Sequence, residues 1–330
     1  MSKLTVATAT MYDLSLAGAE EASRLGEQSG DIDHLLLALT INEQVAGEVL
    51  RALGADLERT RAAVEQQHAD QLASLGVQAA MPGPGRITYH ERGEFAWNDR
   101  ALDVLRRAGQ GGKRGDAAAV LRELVDEGSG LIEAILQRLD TSPQQVRELL
   151  DQAERYPALP TRAADNGRSL SGAGAVHVPA PVTDVWALLN DPARMPEWDL
   201  LFGRVDDLPD DVAPGATWTA YSLETAPNGK PQRVNPERRR ARIELVECEP
   251  TTAIEWITTW PDSPTSNKRR MRIELEPAAG GTRLVIRHAW ERTSSRRGIP
   301  LLRWVMRPLN SFAIWLQISQ TGASIGRVFR

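Results

Sequence analysis

A single cysteine, Cys248, stands among the 330 residues of the chain. One thiol excludes an internal disulfide and suits a reducing compartment. No Gly-x-x-x-x-Gly-Lys-Ser/Thr loop occurs, so no segment is built to cradle and hydrolyse a nucleoside triphosphate. Long apolar runs are missing as well. The most apolar stretch, residues 299–328, is interrupted by Arg303, Arg307, Pro308, Asn310 and Gln317, which makes it a poor membrane span. Residues 1–12 are polar and lack the hydrophobic core of a signal peptide. Positive charge is not in excess either: the net charge of -5 argues against a dedicated nucleic-acid binder. Histidine is scarce, and no second His or Cys stands at ligand spacing from His34, so no metal site is expected. These absences lead to the expectation of a soluble, cytoplasmic protein with no cofactor, no metal, no membrane and no nucleic acid among its partners.

What is there divides in two. Hydrophobic content of 42% and charged content of 25% are those of a globular protein, and the length exceeds one comfortable core. The first half is rich in Ala, Leu, Glu, Gln and Arg, all good helix formers, and Trp97 is its only tryptophan. The other eight tryptophans follow residue 180, in a half with alternating strand patterns. Residues 158–174 lack helical periodicity and read as a linker. The expected division is a domain over 1–155, a linker over 156–172 and a domain over 173–330.

The helical half repeats itself around a Pro-Gly-rich break at residues 81–85. Val45-Ala-Gly-Glu-Val-Leu-Arg-Ala-Leu53 has its counterpart in Gly130-Leu-Ile-Glu-Ala-Ile-Leu-Gln-Arg-Leu139, and residues 54–64 in residues 139–150. Such internal repetition is the signature of stacked halves sharing one core. Residues 26–40, Gly-Glu-Gln-Ser-Gly-Asp-Ile-Asp-His-Leu-Leu-Leu-Ala-Leu-Thr, and the helix pattern after them closely resemble one repeat of the Clp N-terminal domain, the substrate- and adaptor-binding module of Clp-family unfoldase ATPases. The resemblance covers roughly residues 8–152 and implies an all-α double four-helix domain. The second repeat departs from the family: where an acid and a His are expected before the Leu-rich helix, this chain has Ala118 and Ala119. Three residues are candidates for peptide or partner contact. Asp33 opens a helix with His34, where an acid also meets exposed N–H groups. Trp97 holds the aromatic position that opens the second repeat, as a packing staple or as a binding anchor. Leu102 stands where the resemblance implies a basic, peptide-binding residue.

In the second half, residues 175–199 read as a strand, a short helix rich in Val185, Trp186, Leu188 and Leu189, and a Pro-Glu-Trp-Asp turn. Alternation then runs through Ala241/Ile243/Leu245, Met271/Ile273/Leu275 and Leu284/Ile286/His288/Trp290, each opposed by charged residues, as in antiparallel strands with one solvated face. A long helix follows from about Pro300. This pattern resembles the START-like (SRPBCC) superfamily, which includes polyketide cyclases and aromatases, Hsp90-activator homologues and plant lipid-binding allergens. The resemblance implies an α+β helix-grip fold, a curved antiparallel sheet gripping a long C-terminal helix around an apolar cavity. Parity marks Trp256, Thr258, Trp260, Leu284, Ile286, His288 and Trp290 as cavity candidates, closed by Phe312 and Trp315 from the helix. His288 is the one titratable group on its strand face and the weak catalytic candidate, with a core role as the simpler reading. The clusters at residues 238–242 and 268–272 read first as a solvated, arginine-rich strand face.

Together the two resemblances imply a binding protein without an ATPase. It would recognise Clp components, client peptides or cyclic-peptide antibiotics, as adaptor or decoy, and hold a hydrophobic small molecule in the cup. A polyketide cyclase-like enzyme and an Hsp90-activator-like co-chaperone are the alternatives.

Overall fold

The computed structural model describes residues 3–77, 85–92, 95–155, 169–226, 229–291, 293 and 300–330, without the side chains of 3–4, 92, 169–170 and 300–312. The chain divides into two compact units, Met1–Leu159 and Pro160–Arg330.

The first unit is helical: α1 Lys3–Arg24, α2 Ile32–Thr40, α3 Val45–Ala52, α4 Leu57–Ser74, α5 Tyr89–Arg92, α6 Asp99–Ala108, α7 Ala117–Val125, α8 Leu131–Arg138 and α9 Pro143–Arg155. Helices α2 and α7 have nine residues each, and α3 and α8 have eight each. Every residue of α2 is buried, and it packs on α1, α3, α4, α6, α7 and α8. An all-apolar circumference is what a helix at the centre of a core requires, and the Leu35-Leu-Leu-Ala-Leu39 run supplies it. Two short strands, β1 Ser29–Gly30 and β2 Ala96–Trp97, pair in parallel and bring the starts of α2 and α6 together.

The second unit is a seven-stranded antiparallel sheet with β3 Ser169–Val178, β4 Phe202–Asp206, β5 Thr217–Ser222, β6 Arg240–Glu249, β7 Ala253–Thr259, β8 Lys268–Ala278 and β9 Gly281–Glu291 in the order β3-β9-β8-β7-β6-β5-β4. Helices α10 Val182–Leu189 and α11 Met195–Trp198 lie between β3 and β4 in sequence, and α12 Pro300–Val328 ends the unit against β3 and β9. A sheet of this order with a long C-terminal helix on one face is consistent with a helix-grip fold. The strand β3 begins at Ser169, inside the stretch read as linker. Its small residues have a packing reason: a Cβ on Gly172 or Gly174 would stand 2.5 Å or 2.9 Å from side-chain atoms of Ile314 or Ile318, so glycine there lets α12 lie close on the sheet. The outer face carries the arginines. Arg270 pairs with Glu255 and Glu291, Arg272 with Glu247 and Glu274, and Arg287 with Glu274, so much of the basic charge is neutralised locally.

Candidate functional site

The inward face of β7, β8 and β9 is set by strand parity. Trp256 and Thr258 on β7, Arg269, Met271, Ile273 and Leu275 on β8, and Leu284, Ile286 and His288 on β9 are all buried, with Trp260 just beyond β7. Trp290 is half-buried beside them. The register places Arg269 between Thr258 and Trp290, and Met271 between Trp256 and His288. Trp260 stacks on Trp290 with ring centres 5.7 Å apart, and His288 meets the Trp290 ring edge-on at 5.7 Å. Trp198, at the end of α11, lies 5.4 Å from Trp256. The sequence-derived cavity residues on β7 and β9 therefore share one face. Trp315 is half-buried on α12, and the side chain of Phe312 lies outside the described residues.

At the centre of this aromatic face sits a polar group that sequence reading missed. Arg269, 3% exposed, donates from Nη1 to Asp199 Oδ2 at 2.6 Å and from Nε to His288 Nε2 at 2.9 Å, with Nη2 3.3 Å from the Met271 sulfur. Asp199 is equally buried and also accepts the amide of Leu201 at 3.2 Å. A buried ion pair needs this kind of geometry to offset desolvation. Burial, followed by the Arg269 charge, pushes the His288 pKa down to about 3, so the imidazole is neutral near pH 7. A guanidinium can only donate. The lone pair of Nε2 is therefore engaged by Arg269, which leaves the ring proton on Nδ1. Among the described residues, neither that Nδ1 nor the indole Nε1 of Trp198, both buried, has a hydrogen-bond partner. His288 is thus poorly placed to act as a proton shuttle through Nε2, the nitrogen that would have to accept. The signal for Arg269 was present in the sequence: it shares the parity of Met271, Ile273 and Leu275, but stood inside a run of surface arginines.

The candidates of the helical unit are Asp33, Trp97 and Leu102. The N-cap of α2 is Asp31, whose carboxylate accepts from Ile32 and whose amide lies 3.3 Å from His34 Nδ1 in a capping box, while Asp33 Oδ1 accepts the His34 amide at 2.8 Å. Asp33 is 3% exposed, lies 3.0 Å from His34 Nδ1 and 3.1 Å from Nε2 of His68 on α4. Burial alone would raise the Asp33 pKa, but the hydrogen bonds with His34 and His68 hold it well below the usual carboxylate range. Trp97 fits its ring against Gly18 and Gly30, where an added Cβ would stand 2.3 Å and 2.8 Å from indole carbons, and donates from Nε1 to Ser15 Oγ at 3.0 Å. That is a packing seat on α1 and β1. Leu102 projects from α6 and is 48% exposed. The thiol of Cys248 faces Asn190 Oδ1 at 3.3 Å, and burial raises its pKa, the opposite of an activated nucleophile. Among the described residues no group of three or more His, Cys, Asp or Glu side chains could hold a metal ion, and no helix is long and apolar enough to cross a membrane.

The geometry agrees with comparison to known proteins for the second unit. Residues 170–314 match the model of the family described as Polyketide cyclase / dehydrase and lipid transport, so the C-terminal unit carries a domain of that family. Among solved structures, a Chromobacterium violaceum protein is similar at 17% identity over 47% of this chain and 96% of its own, with a TM-score of 0.31. A Polyketide_cyc-like protein from Corynebacterium glutamicum is 22% identical over 48% of this chain and 91% of its own, with a TM-score of 0.33. The di-domain ARO/CYC StfQ from the steffimycin biosynthetic pathway is 16% identical over 62% of this chain and 60% of its own, with a TM-score of 0.35. No curated protein matches the chain.

Proposed function

We propose that the chain is a binding protein whose C-terminal unit holds a hydrophobic small molecule against the inward face of its sheet. One observation carries this reading. Trp198, Trp256, Trp260 and Trp290 surround the Asp199–Arg269–His288 centre, and ligand sites are built this way, from an apolar wall with a few fixed polar groups. Native mass spectrometry of protein purified from its own host tests it. A retained apolar ligand, lost on mild denaturation, is the expected result. A ligand-free mass, together with no response of the tryptophans to any apolar probe, would retire the reading.

The helical unit, on this proposal, is the peptide- or partner-recognising half, related to the Clp N-terminal domain. Support comes from the residue 26–64 pattern and from the doubled helix pairs described above. Because the chain carries no phosphate-binding loop, such a unit would deliver clients to a Clp ATPase or sequester a ligand directed at one. A free copy of a receptor lowers free ligand by mass action alone. Isothermal titration with Clp-binding cyclic peptides tests this half separately, and no heat at micromolar concentrations would remove it. The family description keeps a cyclase reading open beside binding. Unchanged turnover in His288→Ala would take His288 out of that reading.

A further inference from the structure

The obvious role for a buried arginine under an aromatic wall is to receive an acidic ligand. The contacts of Arg269 point elsewhere. Its positive charge is already matched by Asp199 at 2.6 Å, and its Nε is spent on His288 at 2.9 Å. The centre is then neutral as a whole, and a ligand carboxylate arriving there would be a second buried anion beside Asp199. Burying a charge without its own partner is among the costliest events in a protein interior. What the centre does offer is a donor. With Nε2 accepting from Arg269, His288 presents a buried Nδ1–H and Trp198 a buried indole N–H, neither with a partner among the described residues. On β3 the residue opposite His288 is Gly172, and Ile314 of α12 fills the space a side chain there would take. An orphaned donor costs the desolvation it has suffered, and an acceptor placed on it recovers that cost.

We infer that Arg269 is a positioning residue that fixes the His288 tautomer, and that the site takes a neutral, flat ligand through a hydrogen-bond acceptor such as a carbonyl oxygen held by His288 Nδ1–H, while rejecting the corresponding carboxylate. This deepens the hydrophobic-ligand reading and rests on it. Selectivity arises because an acceptor relieves the unpaired donor, a hydrocarbon leaves it unpaired, and an anion adds a charge the centre cannot balance.

Three probes on one ring system separate these cases: methylanthracene, anthraldehyde and anthracene carboxylate, titrated into the full-length protein and followed by tryptophan quenching. Anthraldehyde should bind about tenfold tighter than methylanthracene, the worth of one net hydrogen bond, and the carboxylate should bind weakest. In His288→Phe the preference for the aldehyde over methylanthracene should disappear. Carboxylate binding tightest, or an aldehyde preference that survives His288→Phe, would overturn the inference while leaving a hydrophobic site standing. Binding of none of the three would overturn both. Proton–nitrogen correlation spectra of histidine-labelled wild-type protein provide a check independent of any variant. The His288 proton should reside on Nδ1, and a proton on Nε2 would sink the proposal.

Discussion

Arg269 is held from two sides, by Asp199 at the end of α11 and by His288 across the β8–β9 ladder. Removing the guanidinium leaves a carboxylate that is 3% exposed with no cation, and the cost of that orphan exceeds the net worth of the pair. Arg269→Met should therefore lose about 3–5 kcal/mol of stability. Urea unfolding followed by tryptophan fluorescence measures it, since eight of the nine tryptophans lie in the C-terminal unit. Adding Asp199→Asn to Arg269→Met removes the orphaned charge, so the double variant should unfold at higher urea than Arg269→Met alone. A double variant less stable than the single one would mean that the pair is not what makes Arg269 indispensable. At this scale the sequence was half legible. Parity put His288 and the tryptophans on the inward face, and the same parity held Arg269. The contact with Asp199 spans 70 positions, and no local pattern records a pairing made by tertiary approach. Asp33 shows the same limit. Its place at the helix start was readable, whereas its bond to His68 depends on how α4 crosses α2.

At the scale of elements, the packing of α12 on β3 is decided by glycines on both partners. A Cβ on Gly322 would stand 2.3 Å from a Val176 methyl, while one on Gly326, a single turn later, meets nothing within 4 Å. Alanine is the better helix former by about 1 kcal/mol, so the two substitutions should differ in sign. Gly326→Ala should stabilise by up to about 1 kcal/mol. Gly322→Ala should destabilise by about 1–3 kcal/mol, because the helix must lift from the strand. Thermal unfolding of the two variants side by side decides the matter, and equal shifts would mean that α12 is not seated by this contact. Strand and helix boundaries tell the same story about legibility. The alternating strands β6, β8 and β9 and the helix from Pro300 were readable because their periodicity is strong. The start of β3 was not, because Ser171, Gly172 and Gly174 have the composition of a linker. Their smallness is a packing requirement that appears only once α12 is in place.

Over the whole molecule, the buried histidines give the two units opposite responses to pH. In the helical unit, burial disfavours the charged His34, but Asp33 and then Glu27 and Glu21 outweigh it, and the pKa is raised. His68 is raised chiefly by its hydrogen bond to Asp33. A histidine raised on folding contributes stability that is complete below its ordinary value near 6.5 and is lost as pH climbs through the folded value. In the sheet unit, His288 is depressed to about 3, so its contribution is complete above about 6.5 and is lost as pH falls toward 3. Between pH 7 and pH 5 this one group should remove about 2 kcal/mol from the C-terminal unit. Urea midpoints read by tryptophan fluorescence should fall over that interval. In His288→Gln the fall should be shallower, because the other titrating groups remain while this one is gone. Over the interval from pH 6 to pH 8, amide exchange in α2 and α4, corrected to free-peptide rates, should quicken as His34 and His68 lose their protons, and His68→Gln should flatten that trend. Mild acid would then loosen the ligand-facing unit and tighten the helical one. A common direction for both units would show that the Asp33 cluster and His288 do not both govern the response of their units.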